Sequence, residues 1–156
     1  MNKPLLLTLS HLAVAAAGFW GGIYTLPILM APESPKLESI DQLERNASYT
    51  GEFTRDRIDS DFLHWGEGSV YVNSKQIIFT GKLAPGPAYR LYLAPKFVET
   101  EAAFEQLKPQ MVEIGPVDTF DNFILDIPQG VDLSQFDTVI VWCESFSQFI
   151  TSARYR

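Results

Sequence analysis

The residues able to carry redox or ligand chemistry are few. Cys143 is the only cysteine, and His64 is the only histidine beyond residue 30, the other being His11. A thiol supports a redox-active sulfur or a thiolate ligand to a metal or haem; a small buried hydrophobe is the alternative for the same residue. His64, between Leu63 and Trp65, suits an axial ligand or a thiolate partner, or else a hydrogen-bonded residue at a strand start. Met111 is a second candidate haem ligand, or a core methionine at a helix exit. As a nucleophile–base pair, Cys143 and His64 would have to lie within hydrogen-bond reach across 79 positions of sequence.

Elimination narrows the chemistry further. One cysteine excludes an intrachain disulfide, a Cys-x-x-Cys pair, a Cys-rich zinc site and an iron–sulfur cluster held by one chain. A blue-copper site needs two histidines with its cysteine, and c-type haem needs Cys-x-x-Cys-His. No spacing of His64, Cys143 and carboxylates supports zinc. Neither a Gly-x-Ser-x-Gly elbow nor a Gly-rich phosphate loop occurs, and Gly66 and Gly68 suit a bulge or a close backbone approach. A net charge of −7 argues against a nucleic-acid partner, which would need a basic face.

The elements that must position these residues begin with an apolar N-terminus. Pro4 to Met30 contains no Asp, Glu, Lys or Arg. As a helix these residues span about 40 Å against a hydrocarbon core of about 30 Å. Residues 1–30 therefore read as a single transmembrane signal anchor, with Trp20 and Tyr24 in an interface belt. A cleaved signal peptide is the alternative, because Ala13-Val14-Ala15 and Ala15-Ala16-Ala17 fit a small-residue cleavage site. Cleavage there would leave Gly18 through Met30 as an apolar tail. A short tail ahead of an apolar run behaves as a signal anchor, which predicts a single-pass protein with its C-terminal part outside the cytoplasm, periplasmic in a Gram-negative bacterium. Gly18 and Gly22 form a Gly-xxx-Gly pair of the kind that lets helices approach.

Residues 31–48 read as a linker and juxtamembrane segment, with Pro32 and Pro35 stiffening the exit and Leu37, Ile40 and Leu43 spaced as an amphipathic turn or two. Everything after Met30 carries a net charge of −8, and residues 49–156 have the texture of short β runs. Strands are expected from Tyr49, over 68–72 and 76–80 as a hairpin, and over 89–93, 111–114, 122–127, 138–143 and 148–153. One convincing helix covers 99–108, ended by Pro109. The run Thr138 to Cys143 is apolar on both faces, as in a central strand, with Val139, Val141 and Cys143 on one face and Ile140 and Trp142 on the other. Cys143 ends the run, which suggests that it meets solvent. The fold class is mainly β: an antiparallel sandwich or barrel-like domain with one short helix, preceded by the transmembrane helix.

Several blocks resemble the DM-thirteen domain family: Tyr49-Thr50-Gly51-Glu52-Phe53, His64-Trp65-Gly66-Glu67-Gly68-Ser69-Val70, and Gly86-Pro87-Ala88-Tyr89-Arg90-Leu91-Tyr92-Leu93. The most specific is Phe136 through Phe149, which contains Val141-Trp142-Cys143-Glu144-Ser145, followed by Ala153-Arg154-Tyr155. The N-terminal segment is similar to the anchor of bacterial stand-alone members. Two stretches depart from the pattern: 148–153 lacks a glycine after the phenylalanine, and Pro116-Val117-Asp118 replaces a Lys-Gly-type turn. The resemblance implies an electron-transfer or cytochrome-like β domain whose cysteine acts as a bare thiol or holds a group such as haem. It makes Cys143 the redox thiol or ligand, with His64 as the block histidine and a haem or metal as the group they would hold. The implied partners are the membrane, through the helix, and a membrane or periplasmic redox protein. A non-catalytic binding or envelope-structural module, with Cys143 in the core, is the competing expectation.

Overall fold

The computed structural model describes residues 2–156, with Leu37, Ser39, Asp41 and Gln42 described by backbone alone. Helix α1, Lys3–Met30, takes Pro4 in its first turn, where a missing N–H costs nothing. It is long and apolar enough to cross a membrane, and none of its described residues is fully buried against protein. Pro27 lies inside it and removes the bond that the Ile23 carbonyl would otherwise accept. Helix α2, Leu37–Glu44, follows the linker. Of its apolar positions Ile40 is fully buried and Leu43 half-buried, while the Leu37 side chain lies outside the described residues.

The remaining chain forms two four-stranded antiparallel sheets. Strands β1 (Tyr49–Phe53), β2 (Gly66–Val72), β3 (Gln76–Leu83) and β6 (Phe123–Asp126) form the first, in the order β1-β2-β3-β6. Strands β4 (Tyr89–Ala94), β5 (Val112–Val117), β7 (Thr138–Cys143) and β8 (Gln148–Arg154) form the second, in the order β5-β4-β7-β8. The expected hairpin is β2–β3, turned at Asn73, whose side chain accepts from the N–H groups of Lys75 and Gln76. It is longer than its apolar run because Gly68 and Gly81 face each other across the ladder, both at positive φ. A Cβ on Gly68 would stand 2.6 Å from the Gly81 Cα, so the glycines serve a close approach and not a bulge. Strand β5 runs through Pro116, which a ladder tolerates because β5 is an edge strand.

The sheets pack face to face as a sandwich and do not close into a barrel. Phe53, Val70, Ile77 and Phe79 from the first sheet meet Leu91, Leu93, Val139 and Val141 from the second. Cys143 belongs to this same interior face. The outer face of the second sheet carries a smaller core, in which Ile140, Trp142 and Tyr92 are covered by helix α3, Glu101–Leu107. Phe104 of α3 stacks on Trp142 at 3.9 Å between ring centroids and meets Tyr92 edge-on at 5.2 Å. The helix begins later than its periodicity suggests because Thr100 caps it, accepting from Ala103 N at 3.2 Å. Strand β7 is buried at all six positions, as its two-faced apolar pattern requires.

Candidate functional site around Cys143

Three chain segments bring Cys143, His64 and helix α1 to one place. Cys143 ends β7, paired with Tyr89 of β4 on one side and Gln148 of β8 on the other. The thiol donates to the Pro87 carbonyl at 3.1 Å. That carbonyl belongs to the turn Pro85-Gly86-Pro87-Ala88, held over the end of β7 by the bond from Glu144 N to Ala88 O at 3.1 Å. Ala88 and Ser147 both take a φ of 51°, the left-handed backbone that closes the turn and the β7–β8 hairpin.

The expectation that Cys143 meets solvent is corrected: the residue is 2% exposed. Being last in the strand does not expose it, because the 85–88 turn folds over its end and Phe146 and Tyr89 flank it. Burial pushes the thiol pKa up, against the opposing effect of the Phe146 and Ser145 N–H groups, and the Glu144 carboxylate adds to the rise. The sulfur is therefore a protonated thiol at neutral pH.

His64 sits in the segment between β1 and β2, two residues before β2 begins. The segment is fastened by Arg57, which donates to Ser152 O and Glu52 O, both at 3.0 Å, and pairs with Glu99 at 3.4 Å. Asp61 then turns the chain locally, its Oδ1 accepting from Leu63 N at 2.7 Å and His64 N at 2.8 Å. Asp61 Oδ2 lies 3.1 Å from His64 Nδ1. Burial works to raise the Asp61 pKa, but the His64 ring and the two backbone N–H groups outweigh it and hold the carboxyl below its usual range. An ionised Asp61 fixes the proton on Nδ1 and leaves Nε2 as the nitrogen open to another group.

His64 and Cys143 line a single cavity of about 520 Å³. Its other walls are aromatic and apolar: Tyr89, Phe146, Leu63 and Pro85 from the sandwich, and Trp20, Ile23 and Tyr24 from helix α1. The helix meets the sandwich through Ile23 and Pro27, one turn apart on one face and both half-buried. Met111, by contrast, packs in the outer core beneath α3, on the other side of the second sheet from Cys143. It is not brought to the site.

Neither a haem nor a metal fits well here. The cavity lining contains no Lys or Arg to meet haem propionates, and the sulfur offered to iron is 2% exposed with its S–H bonded to a carbonyl. Among the described residues no group of three His, Cys, Asp or Glu side chains comes together as a metal-binding set. What the site offers is a buried thiol, an Asp-oriented imidazole and a buried phenol around an apolar space.

Sequence reasoning did not single out Asp61, Arg57 or Tyr89. The Asp-x-x-His spacing is a usable signal for the first. The other two act across the fold and have no local signature. Comparison with known proteins bears out the family resemblance: a family model described as Electron transfer DM13 matches residues 57–155. No match was found among curated proteins or among solved structures. The matched span runs from Arg57, which fastens the His64 segment, through Cys143 to the last buried tyrosine, and the chain belongs to the Electron transfer DM13 family.

Proposed function

We propose that this chain is a membrane-anchored electron-transfer protein in which Cys143 is the redox-active sulfur and His64 its proton partner. The observation that carries the reading is the shared cavity: the family's cysteine and histidine line one space with three residues of the apolar helix. One-electron oxidation of the protonated thiol by an external redox partner leaves a thiyl sulfur and releases the S–H proton. His64, oriented by Asp61, is the base in that cavity able to receive it once the bond to the Pro87 carbonyl breaks. Residues 1–30 serve as an uncleaved anchor, 31–48 as the link to it, and 49–156 as the redox domain on the extracytoplasmic side. Retention of the helix is supported by Trp20, Ile23 and Tyr24, which complete the cavity and would lose that role if the segment left.

The test uses the full-length protein in lipid nanodiscs, examined by film voltammetry and by thermal unfolding. A reversible wave that disappears in Cys143→Ser, with unfolding still cooperative, is the expected result. Absence of any wave from the wild-type protein overturns the redox role. A second reading, a binding or envelope-structural module, is favoured by the burial of Cys143 and its raised pKa, which are properties of a core thiol. Under that reading Cys143 in native protein reacts with maleimide only after denaturation, and no redox wave exists.

A further inference from the structure

Helix α1 has 28 residues, about 42 Å at the usual rise, so roughly its first 20 suffice to cross a hydrocarbon core of about 30 Å. Its final turns project past the core, and Trp20, Ile23 and Tyr24 fall at the boundary between hydrocarbon and headgroups. The cavity beside Cys143 lies at that depth. Outside α1, the large apolar side chains exposed on the described residues are Ile58, Phe62, Leu63 and Phe146, with Phe62 85% exposed. Leu63 and Phe146 line the cavity and Phe62 adjoins Leu63, so exposed apolar side chains rim the cavity.

The lining restricts what enters. Without a Lys or Arg it does not suit a phosphate headgroup, and without a carboxylate it does not suit a cation. It does hold uncharged hydrogen-bonding groups among aromatic walls. Tyr89 is 3% exposed as a residue, and it lines the cavity with its hydroxyl beside Gly86. His64 Nε2 is left open by the bond at Nδ1, and the Gln148 amide lies at the same wall. A flat, neutral ring carrying carbonyl or hydroxyl oxygens and an apolar tail matches this set.

We propose that the cavity between helix α1 and the Cys143 hairpin binds the ring of a membrane quinone in either redox state, with Tyr89 Oη donating to a ring oxygen, His64 Nε2 accepting from a hydroxyl of the reduced form, and the tail left in the lipid. The proposal rests on the membrane-anchored reading above and names the carrier class that this anchor places within reach. The ring is sandwiched by Trp20 and Tyr24 on the helix side and Phe146 on the hairpin side. The aromatic walls favour the flat ring, and the two polar groups select its oxygens.

The experiment titrates full-length protein in nanodiscs with a fully substituted decyl benzoquinone, which cannot alkylate Cys143, and reads quenching of tryptophan fluorescence, with the Trp20 share, out of Trp20, Trp65 and Trp142, taken from its loss in Trp20→Phe. Saturable quenching is expected, with decylbenzene binding at least about tenfold more weakly. Tyr89→Phe is expected to weaken quinone binding about tenfold, and His64→Gln to weaken binding of the corresponding quinol likewise, with decylbenzene unaffected by either. Ile23→Phe, on the helix and outside the sandwich core, is expected to fill the space and weaken quinone and decylbenzene alike. Equal binding of quinone and decylbenzene, or unsaturable partitioning, overturns the proposal. So does an affinity for quinone and quinol that none of the Tyr89, His64 and Ile23 variants changes. The voltammetric wave of wild-type protein is recorded without quinone, so a wave with no quinone site refutes this inference alone, and a quinone site with no wave refutes only the redox role of Cys143.

Discussion

Gly86→Ala tests whether the turn over Cys143 is as tightly fitted as its geometry indicates. A Cβ built on Gly86 would stand 2.7 Å from Tyr89 Cζ and 2.8 Å from Cε1, and closer still to Oη. Ordinary carbon contacts begin about 0.7 Å or more farther out, so the ring must withdraw. It has little room: Tyr89 is 3% exposed, meets Phe120 edge-on at 5.9 Å between centroids and pairs with Cys143 across the ladder. Overpacking of this kind costs about 1–3 kcal/mol. Urea unfolding of the full-length protein in detergent, followed by near-UV circular dichroism, measures that loss. Tyr89→Phe in the same background removes only the closest atom, so the double variant should recover part of the loss, with a coupling of about 0.5–1.5 kcal/mol. A Gly86→Ala variant as stable as wild type, or a strictly additive cycle, would refute the claim that Gly86 exists to admit the Tyr89 ring.

Other outcomes follow from the same coordinates. Phe104→Ala empties the space over Trp142 and should cost about 3–5 kcal/mol, a drop in Tm of about 10 °C or more by calorimetry. The thiol of Cys143 and the phenol of Tyr155, the latter pushed up to about 12, are both raised chiefly by burial. A group whose pKa is raised on folding stabilises fully below its unfolded value and loses that contribution as pH rises toward its folded value. Stability should thus begin to fall above about pH 8.5, with Tyr155 joining from about pH 10. Cys143→Ala should blunt the first part of that fall in Tm measurements across alkaline pH. Arg57→Ala strips donors from Ser152 O and Glu52 O, costs about 2–3 kcal/mol, and should quicken maleimide labelling of Cys143 as the His64 segment loosens. Protein purified gently from membranes should show no Soret band, given a lining without a cation for propionates.

Much of the sandwich was legible because its strands announce themselves locally. Thr138 to Cys143, apolar on both faces, is fully buried in the structure with Cys143 and Trp142 on opposite sides, as alternation requires. The hairpin turned at Asn73 was equally plain from its sequence. Strand ends were less so. Whether β3 stops at Thr80 or continues to Leu83 depends on Gly68 lying opposite Gly81, a register fact that neither glycine declares alone. The site was half legible. Residue type singled out Cys143 and His64, and the fold brings both to one cavity. The depth of Cys143 was misjudged, because its cover comes from Pro87, 56 positions earlier, and from tertiary neighbours. The contribution of helix α1 to the cavity was invisible for the same reason: the residues of a helix apolar enough to cross a membrane carry no mark that some of them also face protein.

The passage from helix to sandwich has a kinetic consequence. Between Met30 and Leu37 the chain runs through Pro32 and Pro35, and Asn122 Nδ2 donates to the Pro35 carbonyl at 3.4 Å. This is a short strut pinned to the first sheet, unlike the long flexible tether on which many anchored domains swing. Under the anchored reading proposed above, a domain held this way keeps close to one height, so its meetings with a lipid-borne partner become a search in a plane. Confinement of that sort gives effective concentrations on the order of millimolar. Contacts too weak to survive in solution then suffice, and rapid release after each encounter leaves the cavity free for the next.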